Sequence, residues 1–291
     1  MSVSFNDMAA LCRPRIGLLA AAGACAGFLF AGPAVGRANA LDLALAAAGA
    51  FLLSCAASAL NQMQERPEDA RMERTKNRPL PAKRLDMNSA LAVALACLGL
   101  GLPALALTPG GMAAALFIPL TLIIYNGLYT PLKKRTSLAM LVGGLAGAFP
   151  PLLGAAAAGA DPFATRALLL GGVFYAWQVP HFWLFARLHR AEYEAAGFHV
   201  PQHGVAESRA GAALALWLVC YGALMLLIPA FGLMAQPLWQ GLVAALAVAL
   251  SLGSWPLVSR QRLGFALVNA SLVLFLCFLA ADALDILGQA A

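Results

Sequence analysis

Charge is scarce in this sequence: Asp, Glu, Lys and Arg make up 11% of its 291 residues, against a hydrophobic share of 62%. Water-soluble domains run at about 25% charged and 45–50% apolar, so a soluble globular chain is excluded. No low-complexity linker or separate polar domain interrupts the apolar sequence. Period-two alternation is also missing, which excludes a transmembrane barrel. The six cysteines (Cys12, Cys25, Cys55, Cys97, Cys220, Cys277) include no CxxC pair and no Cys/His metal spacing. They read as small buried apolar residues. The N-terminus, MSVSFNDMAALCRPR, lacks a short apolar core with a cleavage site, and it lacks an Arg/Ser-rich transit sequence. The first apolar run is therefore kept as a membrane helix of a bacterial inner-membrane protein. Net charge is +6, but no basic face lies outside the membrane loops, which argues against a nucleic-acid partner.

What the sequence does have is apolar runs of membrane-spanning length, roughly 20 residues each. They predict nine spans, at 16–36, 42–64, 87–107, 111–130, 138–158, 166–186, 210–231, 237–257 and 264–285. The expectation is an all-α polytopic bundle of nine transmembrane helices around a cavity open near the cytoplasmic face, with residues 1–291 as one membrane domain. Pro119 and Pro180 fall inside spans and are expected to kink them. Of the 19 Lys and Arg residues, 17 fall at one set of alternate ends, and only Arg37 and Arg166 fall at the other. The positive-inside rule places the N-terminus in the cytoplasm and the C-terminus in the periplasm.

One stretch breaks the scarcity of charge. Residues 61–81, NQMQERPEDARMERTKNRPLP, hold four acidic and five basic side chains. Asn61, Glu65 and Asp69 recur every four residues, a step that turns a helix by only about 40°, so they share a face. Carboxylates at a membrane edge are costly and usually have a partner. A Mg²⁺ ion bridged to phosphate is one such partner, because it takes oxygen ligands from one or two carboxylates. Arg71, Arg74, Lys76 and Arg78 would then meet the phosphate oxygens. A solvated loop whose acids and bases pair with one another has the same spacing, and spacing alone leaves both readings open. Pro67 ends or kinks the helix near Arg66, or else opens a new short helix with Glu68 and Asp69 in its first turn.

Two further segments carry polar chemistry on the same side: YTPLKKRT at 129–136 and YAWQVPHFWLFARLHRAEYEAAG at 175–197. With 61–81, and in this order, they resemble the UbiA superfamily of intramembrane prenyltransferases, specifically its haem O synthase branch. The similarity runs from about residue 10 to the C-terminus. It implies nine helices with the site in cytoplasmic loops, and Mg²⁺ held by Asn61, Glu65 and Asp69 and bridged to farnesyl diphosphate. Arg74, Arg78, Lys133 and Arg135 are implied diphosphate contacts, with Lys134 a solvated neighbour. The implied substrate-side positions are Tyr129, Trp177, Gln178, His181, Glu192 and Tyr193, along with Pro180 and Phe182. The implied reaction is farnesyl transfer to a vinyl group of haem b, giving haem O. Haem b is here a substrate, and a downstream haem A synthase or oxidase assembly factors are implied partners.

His181 reads either as a hydrogen-bonded structural residue or as a contact to haem iron or a propionate. His189, His199 and His203 share no Cys or carboxylate spacing that marks a metal site. Glu192 and Glu194 read as a second acidic anchor or as solvated side chains. Trp177, Phe182 and Trp183 suit a porphyrin or isoprenoid pocket, and an interfacial aromatic belt equally. Departures from the family pattern are Pro67 in place of an acid, Ala139 in place of Asn, and Ala155 in place of Trp. The first removes a potential metal ligand, the second a polar group near the site and the third pocket bulk. Alternative readings are a prenyltransferase with an aromatic or chlorin acceptor, a transporter, and a non-catalytic haem-handling protein. Span interiors nearly free of charge argue against the transporter.

Overall fold

Ala, Leu and Gly runs of this length leave the backbone one way to satisfy its polar groups in lipid, which is to coil into helices. The structure, a computed structural model, describes residues 4–31, 39–200 and 206–290 and contains no strand among them. Arg37, His203 and the last residues of the first expected span lie outside the described residues. In chain order the helices are α1 (Phe5–Cys12), α2 (Pro14–Phe30), α3 (Ala40–Gln64), α4 (Arg66–Asp69), α5 (Met87–Ala106), α6 (Gly111–Leu132) and α7 (Ala139–Ala157). They continue as α8 (Thr165–Leu188), α9 (Arg190–Ala195), α10 (Glu207–Ala230), α11 (Pro237–Leu252), α12 (Ser254–Ser259) and α13 (Gln261–Ala290).

Seven of these, α3, α5, α6, α7, α8, α10 and α13, are long and apolar enough to cross a membrane. The first expected span is instead a pair, α1 and α2, bent by 51° at Arg13. The eighth is α11, only 16 residues long, followed by the short α12. The expected nine spans thus correspond to seven full-length helices, one bent pair and one short helix.

The prolines act unequally. Pro180 sits inside an α8 that runs from Thr165 to Leu188, so the proline does not interrupt the helix. Around Pro119, α6 is irregular, and its segment Leu122–Tyr129 is wound as a π-helix. The wider turn shifts the phase of the side chains that follow, a common device at functional sites. Polar side chains fix several helix starts. Asn39 and Asp42 form a reciprocal capping box on α3, and Asp86 caps α5 through the Ser89 amide at 2.7 Å. Asp282 of α13 accepts from the Gln236 amide, at 2.8 Å, just ahead of α11.

Two apolar cores hold the bundle, one among α8, α10, α11 and α13, the other among α2, α3, α6 and α7. α7 is central, with 61% of its span buried, whereas α5 is peripheral at 22%. The exposed row Leu91, Leu95, Leu100 and Leu102 on α5 faces where lipid would lie, at no cost to an apolar side chain. α2 and α7 meet backbone to backbone. A Cβ on Gly27 would fall 1.9 Å from the Pro151 carbonyl oxygen, and one on Gly154 1.9 Å from that of Ala24.

The charged segments converge at one end of this bundle. Arg84 pairs with Asp7 at 2.8 Å, the Arg74 amide donates to Glu192, and the His199 amide donates to the Lys133 carbonyl. Three loops far apart in sequence are thereby tied into one cap.

Candidate active site

Beneath this cap a cavity of about 690 Å³ runs into the bundle, lined at its outer end by polar groups and deeper by apolar ones. Asn61, Glu65 and Asp69 all face it, at 1%, 4% and 1% exposure. The four-residue spacing brings them together, but not on one continuous helix. α3 ends at Gln64, and Pro67 sits in the first turn of the separate α4, which carries Asp69. Both readings of Pro67 are met: the long helix ends just ahead of Arg66, and a new short helix opens there with Glu68 and Asp69.

Each member of the trio is held. Asn61 donates through Nδ2 to Thr130 Oγ1 at 3.1 Å, and Thr130 donates to the Tyr125 carbonyl at 2.9 Å. The Asn61 amide is thereby oriented, and its oxygen accepts no hydrogen bond from the described residues. The π-helical segment supplies this support, because it places Tyr125 and Thr130 five residues apart in hydrogen-bond reach. Asn126, on the same segment, donates to Ala57 O and Gln64 Oε1 and pins the end of α3. Both oxygens of Asp69 accept from Arg78 Nη1, each at 2.7 Å. Glu65 pairs with Lys133, and its buried Oε1 lies outside hydrogen-bonding geometry with any described residue.

Arg78 loses proton affinity to burial first and to the nearby Arg13 charge second, while Asp69 opposes both. Positive charge is thus in excess at the cavity mouth. Arg13, Arg15, Arg74, Arg78 and Lys133 all line it. Lys133 lies 4.8 Å from the centre of the Tyr129 ring, and the Arg74 guanidinium lies 5.0 Å from that of Phe185. An anion bearing several oxygens suits this ring of bases.

The WQVPH segment lines the deeper chamber. Trp177, Gln178, His181, Phe182 and Phe185 of α8 face it, with Tyr193 and Phe198 nearer the cap. Trp177 donates to the Val268 carbonyl at 3.0 Å, and His181 Nδ1 lies 2.7 Å from Asn269 Oδ1. Phe182 stacks on Tyr129, with ring centres 5.6 Å apart.

The family model described as "UbiA prenyltransferase family" matches residues 20–264. The chain belongs to the UbiA prenyltransferase family. It is 39% identical to the protoheme IX farnesyltransferase of Oleidesulfovibrio alaskensis, over 94% of this chain and 95% of that one. It is 44% identical to the protoheme IX farnesyltransferase of Geobacter sulfurreducens, over 77% and 81% of the two chains. Within the family it therefore falls with the haem O synthases. The UbiA fold is shared with a UbiA homologue from Archaeoglobus fulgidus bound to DMAPP and Mg²⁺, at TM-score 0.72 and 16% identity over 95% and 99% of the chains. It is also shared with an apo UbiA homologue from Aeropyrum pernix, at TM-score 0.73 and 20% identity over 96% and 99%.

Not every residue singled out in this UbiA-family sequence reaches the cavity. Arg135 is exposed and lies away from its lining. Glu192 sits behind the cap, accepting from the Arg74 amide and lying 3.5 Å from His189 Nδ1, and Glu194 pairs with Arg190. Neither lines the cavity. Lys134 is not simply solvated, because it pairs with the buried Glu68 at 2.6 Å. Ala139 lines the cavity as expected, but Ala155 is packed in the α2–α3–α6–α7 core, so its small size takes no bulk from the pocket. Among the described residues no group of three His, Cys, Asp or Glu side chains gathers as a metal site. The oxygen-donor set here is two carboxylates and one amide.

Sequence reasoning missed Arg13 and Arg15 as cavity residues, having counted them only as topological charge. It also missed Tyr125, Phe265 and Asn269. The Arg13–Pro14 dipeptide marks the helix break. Arg13 adopts φ 50°, ψ 64°, a left-handed conformation that costs a non-glycine residue about 1–3 kcal/mol and clusters at functional sites. Asn269 had a signal too, as a lone amide inside a long apolar helix.

Proposed function

We propose that this protein transfers the farnesyl group of farnesyl diphosphate to a vinyl group of haem b, yielding haem O and diphosphate. One observation carries the reading: a single cavity joins an oxygen-donor trio and a ring of bases to an aromatic chamber that holds His181. The A. fulgidus homologue carries DMAPP and Mg²⁺, and the relatives named above are protoheme IX farnesyltransferases. The all-oxygen donor set of Asn61, Glu65 and Asp69 fits Mg²⁺, a hard cation that keeps part of its hydration and shares substrate phosphates. Bound there, the ion neutralises charge developing on the diphosphate as it leaves.

The chain's own residues do the rest. Arg74, Arg78 and Lys133, with Arg13 and Arg15, bind the diphosphate oxygens and stabilise the charge that grows as the C1–O bond breaks. The apolar walls below the mouth hold the allylic chain and keep bulk water from its cationic C1. The haem vinyl group supplies the electron pair for the new carbon–carbon bond. One water then adds to the resulting cation and loses a proton, which leaves the hydroxyl of haem O. Trp177, Phe182 and Tyr193 present flat surfaces to the porphyrin. Nine membrane crossings in a bacterial inner membrane, with the cap in the cytoplasm, agree with the Lys and Arg distribution.

The test is direct. Purified protein given haem b, farnesyl diphosphate and Mg²⁺ is expected to yield a farnesylated haem by mass spectrometry. Prenylation of a quinone precursor with none of haem would reject the reading. A second expectation concerns Thr130. Thr130→Val keeps the shape but removes the hydroxyl that orients Asn61, and is expected to raise the Mg²⁺ concentration for half-maximal activity about tenfold. Thr130→Ser is expected to restore it, and equal Mg²⁺ titrations for all three proteins would rule the orienting role out.

A further inference from the structure

His181 and Asn269 come from helices 88 residues apart and meet at 2.7 Å inside the cavity. The direction of that hydrogen bond is fixed by a second one. Asn269 Nδ2 donates to the Phe265 carbonyl, one turn back on α13, at 2.6 Å. The amide nitrogen is thereby turned away from the histidine and the amide oxygen toward it. An amide oxygen only accepts, so the hydrogen of the neutral imidazole sits on Nδ1. Nε2 is left as a bare lone pair, with no hydrogen-bond partner among the described residues.

The ring is also fixed in angle. It lies 4.7 Å from the Trp177 ring and 5.2 Å from that of Phe265, and stacks nearly parallel to Phe185 at 6.5 Å. Trp177 is itself pinned to Val268, the residue next to Asn269, so α13 clamps both rings of the α8 pair. An apolar cage around an acceptor nitrogen does not suit a propionate, which needs a donor that this tautomer does not offer. It suits an electron-pair acceptor. Histidines that ligate metals almost always give their other N–H to an oxygen in this way, which fixes the ring and raises its basicity.

We infer that His181 Nε2 is an axial ligand to the iron of the haem substrate, and that Asn269 is the positioning residue that sets its tautomer and angle. This deepens the farnesyltransferase reading and rests on it. Iron ligation would anchor the macrocycle at its centre, so that one edge with its vinyl group is presented to the prenyl chain. Metal-free protoporphyrin IX is then a poor acceptor, with a raised KM.

The experiment uses the full-length protein in detergent or nanodiscs and ferric haem b as the probe, with binding followed by the Soret band and by EPR. Asn269→Leu is expected to weaken haem binding about 10–100-fold and to move both spectra to those of His181→Ala. Its KM for haem rises, while its KM for farnesyl diphosphate stays unchanged. Asn269→Asp keeps an acceptor at the same place, so it retains histidine ligation and lowers the iron reduction potential through a more basic imidazole. This variant also guards against a misfolded Asn269→Leu. Wild-type spectra and haem affinity in Asn269→Leu, or an unchanged iron ligand in His181→Ala, overturn the inference. Wild-type farnesyl transfer is measured in the same preparation. If the wild type farnesylates haem and the spectra ignore both residues, only the inference fails. If the wild type farnesylates no haem, the reading beneath it fails as well.

Discussion

Replacing Asp69 by Ala is expected to lower farnesyl transfer about 10³-fold, the scale of losing a preorganised electrostatic group, with the protein still inserted in the membrane. Asp69 is 1% exposed and gives both carboxylate oxygens to Arg78. Two effects are therefore mixed in the single variant. One is loss of a metal ligand. The other is a half-buried guanidinium left without its partner, which destabilises the fold as well. The double variant Asp69→Asn/Arg78→Gln separates them, because no charge is left unpaired. If the pair were only structural, the double variant would recover stability and activity together. In the metal-binding reading it recovers thermal stability and stays inactive, and Mn²⁺ EPR detects no high-affinity ion. Thermal unfolding and Mn²⁺ EPR on the three proteins decide the metal role, because Arg78→Gln by itself lowers turnover through the lost diphosphate contact.

Gly154→Ala is expected to destabilise the protein by about 1–3 kcal/mol, the usual cost of overpacking. One methyl group at this site would meet a backbone oxygen at 1.9 Å, and no rotamer change relieves a clash with backbone. α2 must then move off α7. Because α2 carries Arg15, Ile16, Leu19 and Ala20 of the cavity wall and follows directly on Arg13, activity falls with the folded fraction and the KM for farnesyl diphosphate rises in what remains. Gly99, on the peripheral α5, is the control. A Cβ there meets nothing within 4 Å, so Gly99→Ala gains about 0.5–1 kcal/mol from helix propensity. Equal melting temperatures for Gly154→Ala and wild type would show that the α2–α7 contact is not as tight as described.

The legible parts of this protein are those in which chemistry is tied to local spacing. The i, i+4 recurrence of Asn61, Glu65 and Asp69 survives the break at Gln64, because Pro67 restarts the helix almost at once. YTPLKKRT delivered Lys133 and Tyr129 to the cavity but not Arg135, which is exposed and outside its lining. The WQVPH segment delivered Trp177, Gln178 and His181, while the acidic Glu192 downstream became a strut for the cap.

Composition and the length of the apolar runs determined by themselves that this is an all-helical membrane protein, since lipid offers the backbone no other partner. The charge cluster at 61–81 also determined where the polar chemistry would lie, since membrane-edge carboxylates need partners. Only the tertiary structure decided which partners those are. Arg13 reaches the site through a left-handed kink, Thr130 through a π-helical segment, and Asn269 through a helix more than 80 residues beyond its histidine. Periodicity reports which face of a helix is apolar, but in a bundle covered with lipid both faces are apolar. Which face turns inward is settled by close contacts such as Gly154 against Ala24 and by the few buried hydrogen bonds, and neither has a period to read.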